Sequence, residues 1–209
     1  MKSLTGYITS SYGGKAVKRK VIEDACRKFD AVTVNTVNYM ISYGYLVRIL
    51  RGLYYVKTLD EFSNEKAIDA HRVISLGLGV LGVNWYFGLN TALRMNGATH
   101  EYSDTVFVVN DQIYRNKEIR IAKSRVKFIK ITPKLTVFGI VAENGVRYSD
   151  LEKTLLDMIY LSRYRSVPEG RIALSVEEYA KYADHEKVGE YLNAYPLSVG
   201  RVAENAGLV

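Results

Sequence analysis

Between Thr33 and Tyr39 the chain reads TVNTVNY, with Thr33, Asn35, Thr36, Asn38 and Tyr39 set among valines. Asparagine carries a donor and an acceptor on one amide, the pattern that pairs with both edge groups of adenine in a DNA major groove. It is also a poor helix former, so two within four residues cost helix stability with no evident packing return. Cations flank this stretch in sequence. Lys18 and Arg19 precede it, and Arg48 and Arg51 follow. Arginine and lysine at such positions suit phosphate oxygens. A solvated polar face has the same residue types, so these side chains by themselves leave both readings open.

The elements that must position these residues follow from periodicity. Leu4, Tyr7, Ile8 and Tyr12 fall at helical spacing before Gly13-Gly14 breaks the run. A second helical stripe is expected from Val17 through Val21, Ile22, Ala25 and Cys26 to Phe29. A third helix follows, with Thr33 as its cap, Val37, Met40 and Ile41 inward, and Gly44 as its stop. Asn35, Thr36, Asn38 and Tyr39 are then left facing outward. Two apolar strands, Tyr45–Leu50 and Leu53–Lys57, turn at Arg51-Gly52. Helix, helix, turn, helix and basic hairpin is the order of a winged helix-turn-helix, whose third helix enters the groove while the wing lies on flanking DNA.

Charge supports a polyanion partner. The net charge is +7 over 209 residues. Residues 1–60 hold ten Lys and Arg against four Asp and Glu, and residues 115–134 hold eight against one. The second block, IRIAKSRVKFIKI, alternates apolar residues with Arg120, Arg125, Lys127 and Lys130. Read as strands, it predicts one apolar and one basic face, a surface for a partner or simply a protected edge.

Beyond residue 60 a connecting helix is expected over Asp60–Leu76, then a short helix near Gly88–Asn96. Strands are expected at Thr105–Val109, Glu118–Ala122, Arg125–Ile131 and Thr136–Val141. Ser149 with Glu152, and Ser175 with Glu178, have capping-box spacing. The first box opens a helix to about Tyr164, and Pro196 starts a last one. The fold class is therefore α+β: an N-terminal winged helix-turn-helix over 1–60 and a mixed α+β domain over 61–209.

Catalytic patterns are absent from the sequence. His71, His100 and His185 are scattered, and no phosphate loop or nucleophile elbow occurs. No Asp or Glu has a lysine two residues on, the spacing a metal-dependent nuclease of the restriction type uses. Asp150, Glu152 and Asp157 have ligand chemistry, but helical context reads them as caps and a solvated face. No catalytic residue, metal or cofactor is expected. The single cysteine, Cys26, excludes an internal disulfide and reads as core. No membrane span or signal peptide is predicted, which fits a cytoplasmic protein.

Taken in order, VIEDACRKFDAVTVNTVNYMISYGYLVRILRGLYYV, FGLNTALRMNG, TVFVVN and VRYSDLEKTLLDMIYL resemble the AbiEi-type antitoxins of type IV toxin–antitoxin systems. The resemblance covers roughly residues 20–165. It implies a winged helix that represses its own operon at inverted repeats in the promoter, and a C-terminal domain that counteracts a nucleotidyltransferase-type toxin. By position, Thr33, Asn35, Thr36, Asn38 and Tyr39 would read double-stranded DNA, with Arg48 and Arg51 as wing contacts. Family recognition helices tend to carry arginine or serine where this one has Asn, Thr and Tyr. The alternative is a stand-alone winged-helix regulator whose C-terminal domain senses a ligand or partner.

Overall fold

A computed structural model describes residues 2–64, 67–101, 103–163 and 167–209. Among these residues the architecture is mixed α+β, with ten α-helices and two sheets. Helix α1 (Lys2–Tyr12) leads to strand β1 (Ala16–Lys18), helices α2 (Arg19–Lys28) and α3 (Thr33–Ser42), and the hairpin β2 (Leu46–Leu50) and β3 (Leu53–Val56). The three strands form one antiparallel sheet in the order β1-β3-β2. The helical stripe expected from Val17 is therefore corrected. Val17 pairs with Tyr54 in the sheet, and the helix begins two residues later. Three residues are too few to show a period of two, and Val17 happens to stand in helical register with Val21.

Leu4, Ile8, Ile22, Cys26, Val37 and Met40 pack with Leu46, Tyr54 and Val56 as the core here, so Cys26 is buried as expected. A register shift between Arg48 and Leu50 lets Leu46 and Ile49 both face inward although they are three residues apart.

The expected helix over Asp60–Leu76 is instead two, α4 (Leu59–Ser63) and α5 (Ala70–Leu81), and residues 65 and 66 lie outside the description. α4 carries a capping box. Thr58 accepts from the Glu61 N–H, and Glu61 accepts from the Thr58 N–H. The same Glu61 accepts the Tyr55 hydroxyl at 2.7 Å. Burial, then Glu61, pushes the Tyr55 phenol up to about 12. That tie to β3 holds the acidic stretch in the first unit. The chain divides into compact units of residues 1–83 with 120–124, and 84–119 with 125–209, so the division falls beyond residue 60.

α5 lies over the hairpin at Gly77. A Cβ there would stand 2.7 Å from Ile49 Cδ1 and 3.2 Å from Leu53 Cδ2, whereas a Cβ at Gly79 meets nothing within 4 Å. Gly→Ala in a helix gains roughly 1 kcal/mol from propensity, and overpacking costs about 1–3 kcal/mol. Gly79→Ala should therefore stabilise and Gly77→Ala destabilise. Paired chemical denaturation checks the opposite signs.

The second unit begins with β4 (Trp85–Phe87), α6 (Leu89–Met95) and β5 (Thr105–Asn110). Then come β6 (Ile119–Ile121) and β7 (Ser124–Lys130), at whose junction residues 120–124 group with the first unit, and β8 (Ile140–Glu143) and β9 (Val146–Ser149). The sheet order is β6-β7-β5-β4-β9-β8, with β5–β7 and β4–β9 parallel. The strand expected at Thr136–Val141 is corrected. Pro133–Leu135 is a single 3-10 turn, and the β8–β9 hairpin turns at Asn144-Gly145 with positive φ at both residues. Helices α7 (Leu151–Arg163), α8 (Glu169–Ala180), α9 (His185–Leu192) and α10 (Leu197–Asn205) complete the unit, with Pro196 at the start of the last, as expected. The predicted end of α7 near Tyr164 lies outside the described residues. No helix among the described residues is long and apolar enough to cross a membrane.

Candidate nucleic-acid interface

α3 is terminated by a Schellman arrangement. Gly44 adopts φ +77°, the Gly44 N–H reaches the Ile41 carbonyl, and the Tyr45 N–H reaches the Met40 carbonyl at 2.8 Å. The chain is thereby turned directly from the helix into β2. Val37 and Met40 are buried and Ile41 half-buried, so the helix presents its opposite face to solvent. Asn35 and Asn38 stand on that exposed face three residues apart, close enough to act together.

Two expectations for this helix are corrected. Thr33 is the first helical residue and not its cap; Val32 holds that position with no side-chain cap bond. Thr36 does not face outward. It is buried, and its hydroxyl donates to the Val32 carbonyl at 3.1 Å. A threonine can satisfy its hydroxyl within its own helix and then pack its methyl inward, which a polar label conceals. Tyr39 is half-buried against the core, its ring 4.5 Å from that of Tyr43. Sequence reasoning also missed Val34 and Ser42, which share the exposed side, with Ser42 donating to the Asn38 carbonyl. Their positions at one residue before Asn35 and four after Asn38 were the available signal.

The predicted cations fall into two sets. Lys18 lies opposite Leu53 in the sheet, and the Arg19 N–H donates to the Gly52 carbonyl at 2.8 Å. Lys18, Arg19 and Arg51 are thus gathered where α2 begins beside the hairpin turn. Arg19 also pairs with Glu23 at 2.9 Å, an exposed contact of small energetic value. Arg48 and Arg51 are exposed, and among the described residues neither pairs with a carboxylate.

The second basic block does not form one face. In β7, Arg125 and Lys127 share the parity of buried Ile129, whereas Lys130 shares that of buried Val126 and Phe128. β7 buries Val126 and Phe128 on one side and Ile129 on the other, so the alternation of apolar and basic residues does not separate two faces. Arg120 lies on β6, in the segment that groups with the first unit. Arg125 pairs with Asp104 at 3.4 Å beside a cleft of about 410 Å³, and Lys127 and Lys130 line a different cleft.

The carboxylates Asp150, Glu152 and Asp157 are not a solvated face. Asp150 caps α7, accepting the Lys153 N–H at 2.9 Å, so the expected Ser149–Glu152 box is replaced. Glu152 accepts instead from the Asp184 N–H at 3.0 Å and from Lys187 at 3.1 Å. Burial pushes its carboxyl up, but those donors outweigh it and hold it below the ordinary range. Burial likewise pulls Lys187 down, and Asp150 and Glu152 together hold it above the ordinary lysine range. Asp157 and Lys153 form a fully buried ion pair. Ser175 lies inside α8, so the second expected box is also absent. Among the described residues no group of three or more His, Cys, Asp or Glu is arranged to hold a metal.

Fold and candidate surface together define a mixed α+β protein whose first unit presents an amide-bearing helix face and a cationic hairpin. No family model matches the chain, and no curated protein does. Among solved structures it is similar to the crystal structure of the RV2827C protein from Mycobacterium tuberculosis. The TM-score is 0.61 at 12% identity, over 98% of this chain and 74% of that one, a likeness of fold.

Proposed function

We propose that the chain is a sequence-specific DNA-binding regulator. α3 is its recognition helix in the major groove and the β2–β3 hairpin is a wing on the flanking backbone. The observation that carries the reading is the order α1-β1-α2-α3-β2-β3 closed by a β1-β3-β2 sheet, with Asn35 and Asn38 on the exposed side of α3. Arg48 and Arg51 on the hairpin, exposed and among the described residues without a carboxylate partner, supply cations for phosphate. The resemblance to AbiEi-type antitoxins extends the proposal. The DNA is then the promoter of the chain's own operon, and the second unit opposes a nucleotidyltransferase-type toxin. This reading assigns the chain no catalytic step. Its setting is the cytoplasm, where promoter DNA lies.

A mobility shift on the DNA upstream of the gene, with random DNA as competitor, tests the proposal. Protection of a repeat that survives competition supports it; equal affinity for random DNA removes the specific reading. Within that assay Arg51→Ala should weaken cognate and random DNA alike. It should also flatten the dependence of log K on log salt by about one unit of slope, the signature of one lost phosphate contact.

A further inference from the structure

The second unit contains a cleft of about 690 Å³, a size usual for small-molecule sites, which run from roughly 300 to 1,000 Å³. Its floor is apolar. Phe107 on β5 and Ile129 on β7 share one face of the parallel pair, and Leu161 of α7 lies across from them. Its wall is the loop 111–118 that carries the chain from β5 to β6. That loop is tethered at both ends. At the start, Asn110 Nδ2 donates to the carbonyls of Ile113 and Ile129, both at 3.1 Å, and its Oδ1 accepts the Gln112 N–H at 3.0 Å. Further along, Lys127 Nζ donates to the Asn116 carbonyl. Between the tethers stand Tyr114 and Arg115, with Tyr114 72% exposed.

Three cations line this cleft, Arg115, Lys127 and Lys130, and among the described residues none of them pairs with a carboxylate. Glu118 is the one acid on the rim, so the cleft keeps a positive excess. An exposed tyrosine beside an apolar floor suits a flat ring, and ring stacking on an aromatic side chain is tolerant of which base is stacked. Cations that among the described residues have no carboxylate partner suit a phosphate at the same mouth.

We infer that this cleft binds a nucleoside phosphate, with the base between Tyr114 and the apolar floor and the phosphate against Arg115 and Lys127, the lysine on the Ile129 side of β7. The inference stands apart from DNA recognition by the first unit, and direct binding tests it without DNA. Isothermal titration calorimetry of the full chain at low salt compares AMP, GMP, CMP and UMP with the corresponding nucleosides and with inorganic phosphate. At least one nucleotide should bind about tenfold or more tightly than either of its parts. Tyr114→Ala and Arg115→Glu should each weaken it about tenfold, with the far-ultraviolet circular dichroism of the wild type retained. Arg125→Glu, beside the other cleft, should bind like wild type. Nucleotides that bind no better than phosphate alone overturn the inference. So does nucleotide binding that is indifferent to both Tyr114 and Arg115, or tighter capture of an acidic peptide through those same residues.

Discussion

Asp157→Ala is expected to destabilise the second unit by about 3–5 kcal/mol, the usual cost of removing one partner from a buried ion pair. Lys153 and Asp157 are both 0% exposed. Lys153 Nζ donates to the two carboxylate oxygens at 3.1 and 3.2 Å, and the hydroxyls of Tyr86 and Tyr195 donate to them at 2.6 and 2.7 Å. The ammonium also sits 4.7 Å from the Phe138 ring centroid and 4.9 Å from that of Tyr86. Burial pulls the Lys153 amine below its ordinary range and Asp157 partly restores it. Burial and then Asp157 push both phenols well above theirs. Alanine at 157 would strand one buried cation and two hydroxyls together. A domain of this size has roughly 5–15 kcal/mol of stability in total, so the variant should sit near its unfolding threshold. The double variant Lys153→Met, Asp157→Leu removes both charges at similar volume and should be more stable than Asp157→Ala. Urea unfolding followed at Trp85, which is buried in the same unit, reads both. An Asp157→Ala variant within about 1 kcal/mol of wild type would show that the cluster is energetically idle.

That cluster was invisible in the sequence for a definable reason. Lys153 and Asp157 are four residues apart on a helix, the usual spacing of an exposed ion pair. Only tertiary packing, with Tyr86 of β4, Phe138 and Tyr195 closing over them, buries the pair. Thr154, also fully buried, gave no contrary hint, since its hydroxyl returns to the Asp150 carbonyl at 2.6 Å. Elements with their own local signals were readable. Gly44 ended α3, Arg51-Gly52 turned the hairpin, and the apolar run Thr105–Asn110 formed β5. Trp85–Phe87 was not, because a strand buried on both faces shows no alternation. Asn144-Gly145, a strong turn signal in the sequence, makes the β8–β9 hairpin with positive φ at both residues. Asn35 and Asn38 face outward as the helical spacing predicts, and Thr36 does not. The distinction was whether the side chain could close its hydrogen bond inside the helix.

Asn38→Ala should lose about 1–3 kcal/mol on the cognate DNA site and little on random DNA, if α3 lies in the groove as proposed. Asn38 is exposed on α3, so alanine there removes no core contact and improves helix propensity. The folded state should therefore be at least as stable as wild type, which separates this effect from unfolding. Arg51→Ala makes the useful contrast, since a phosphate contact is lost equally on every sequence. A cognate-to-random affinity ratio that falls for Asn38→Ala but holds for Arg51→Ala would assign base reading to the helix and backbone contact to the hairpin. Thr36→Val should leave both affinities unchanged, because the Thr36 hydroxyl is turned into its own helix and is not available to a base. If instead Thr36→Val abolished specificity while Asn38→Ala kept it, the exposed face of α3 would not be the reading surface. The first unit would then have to meet DNA through the Lys18, Arg19 and Arg51 end of its sheet.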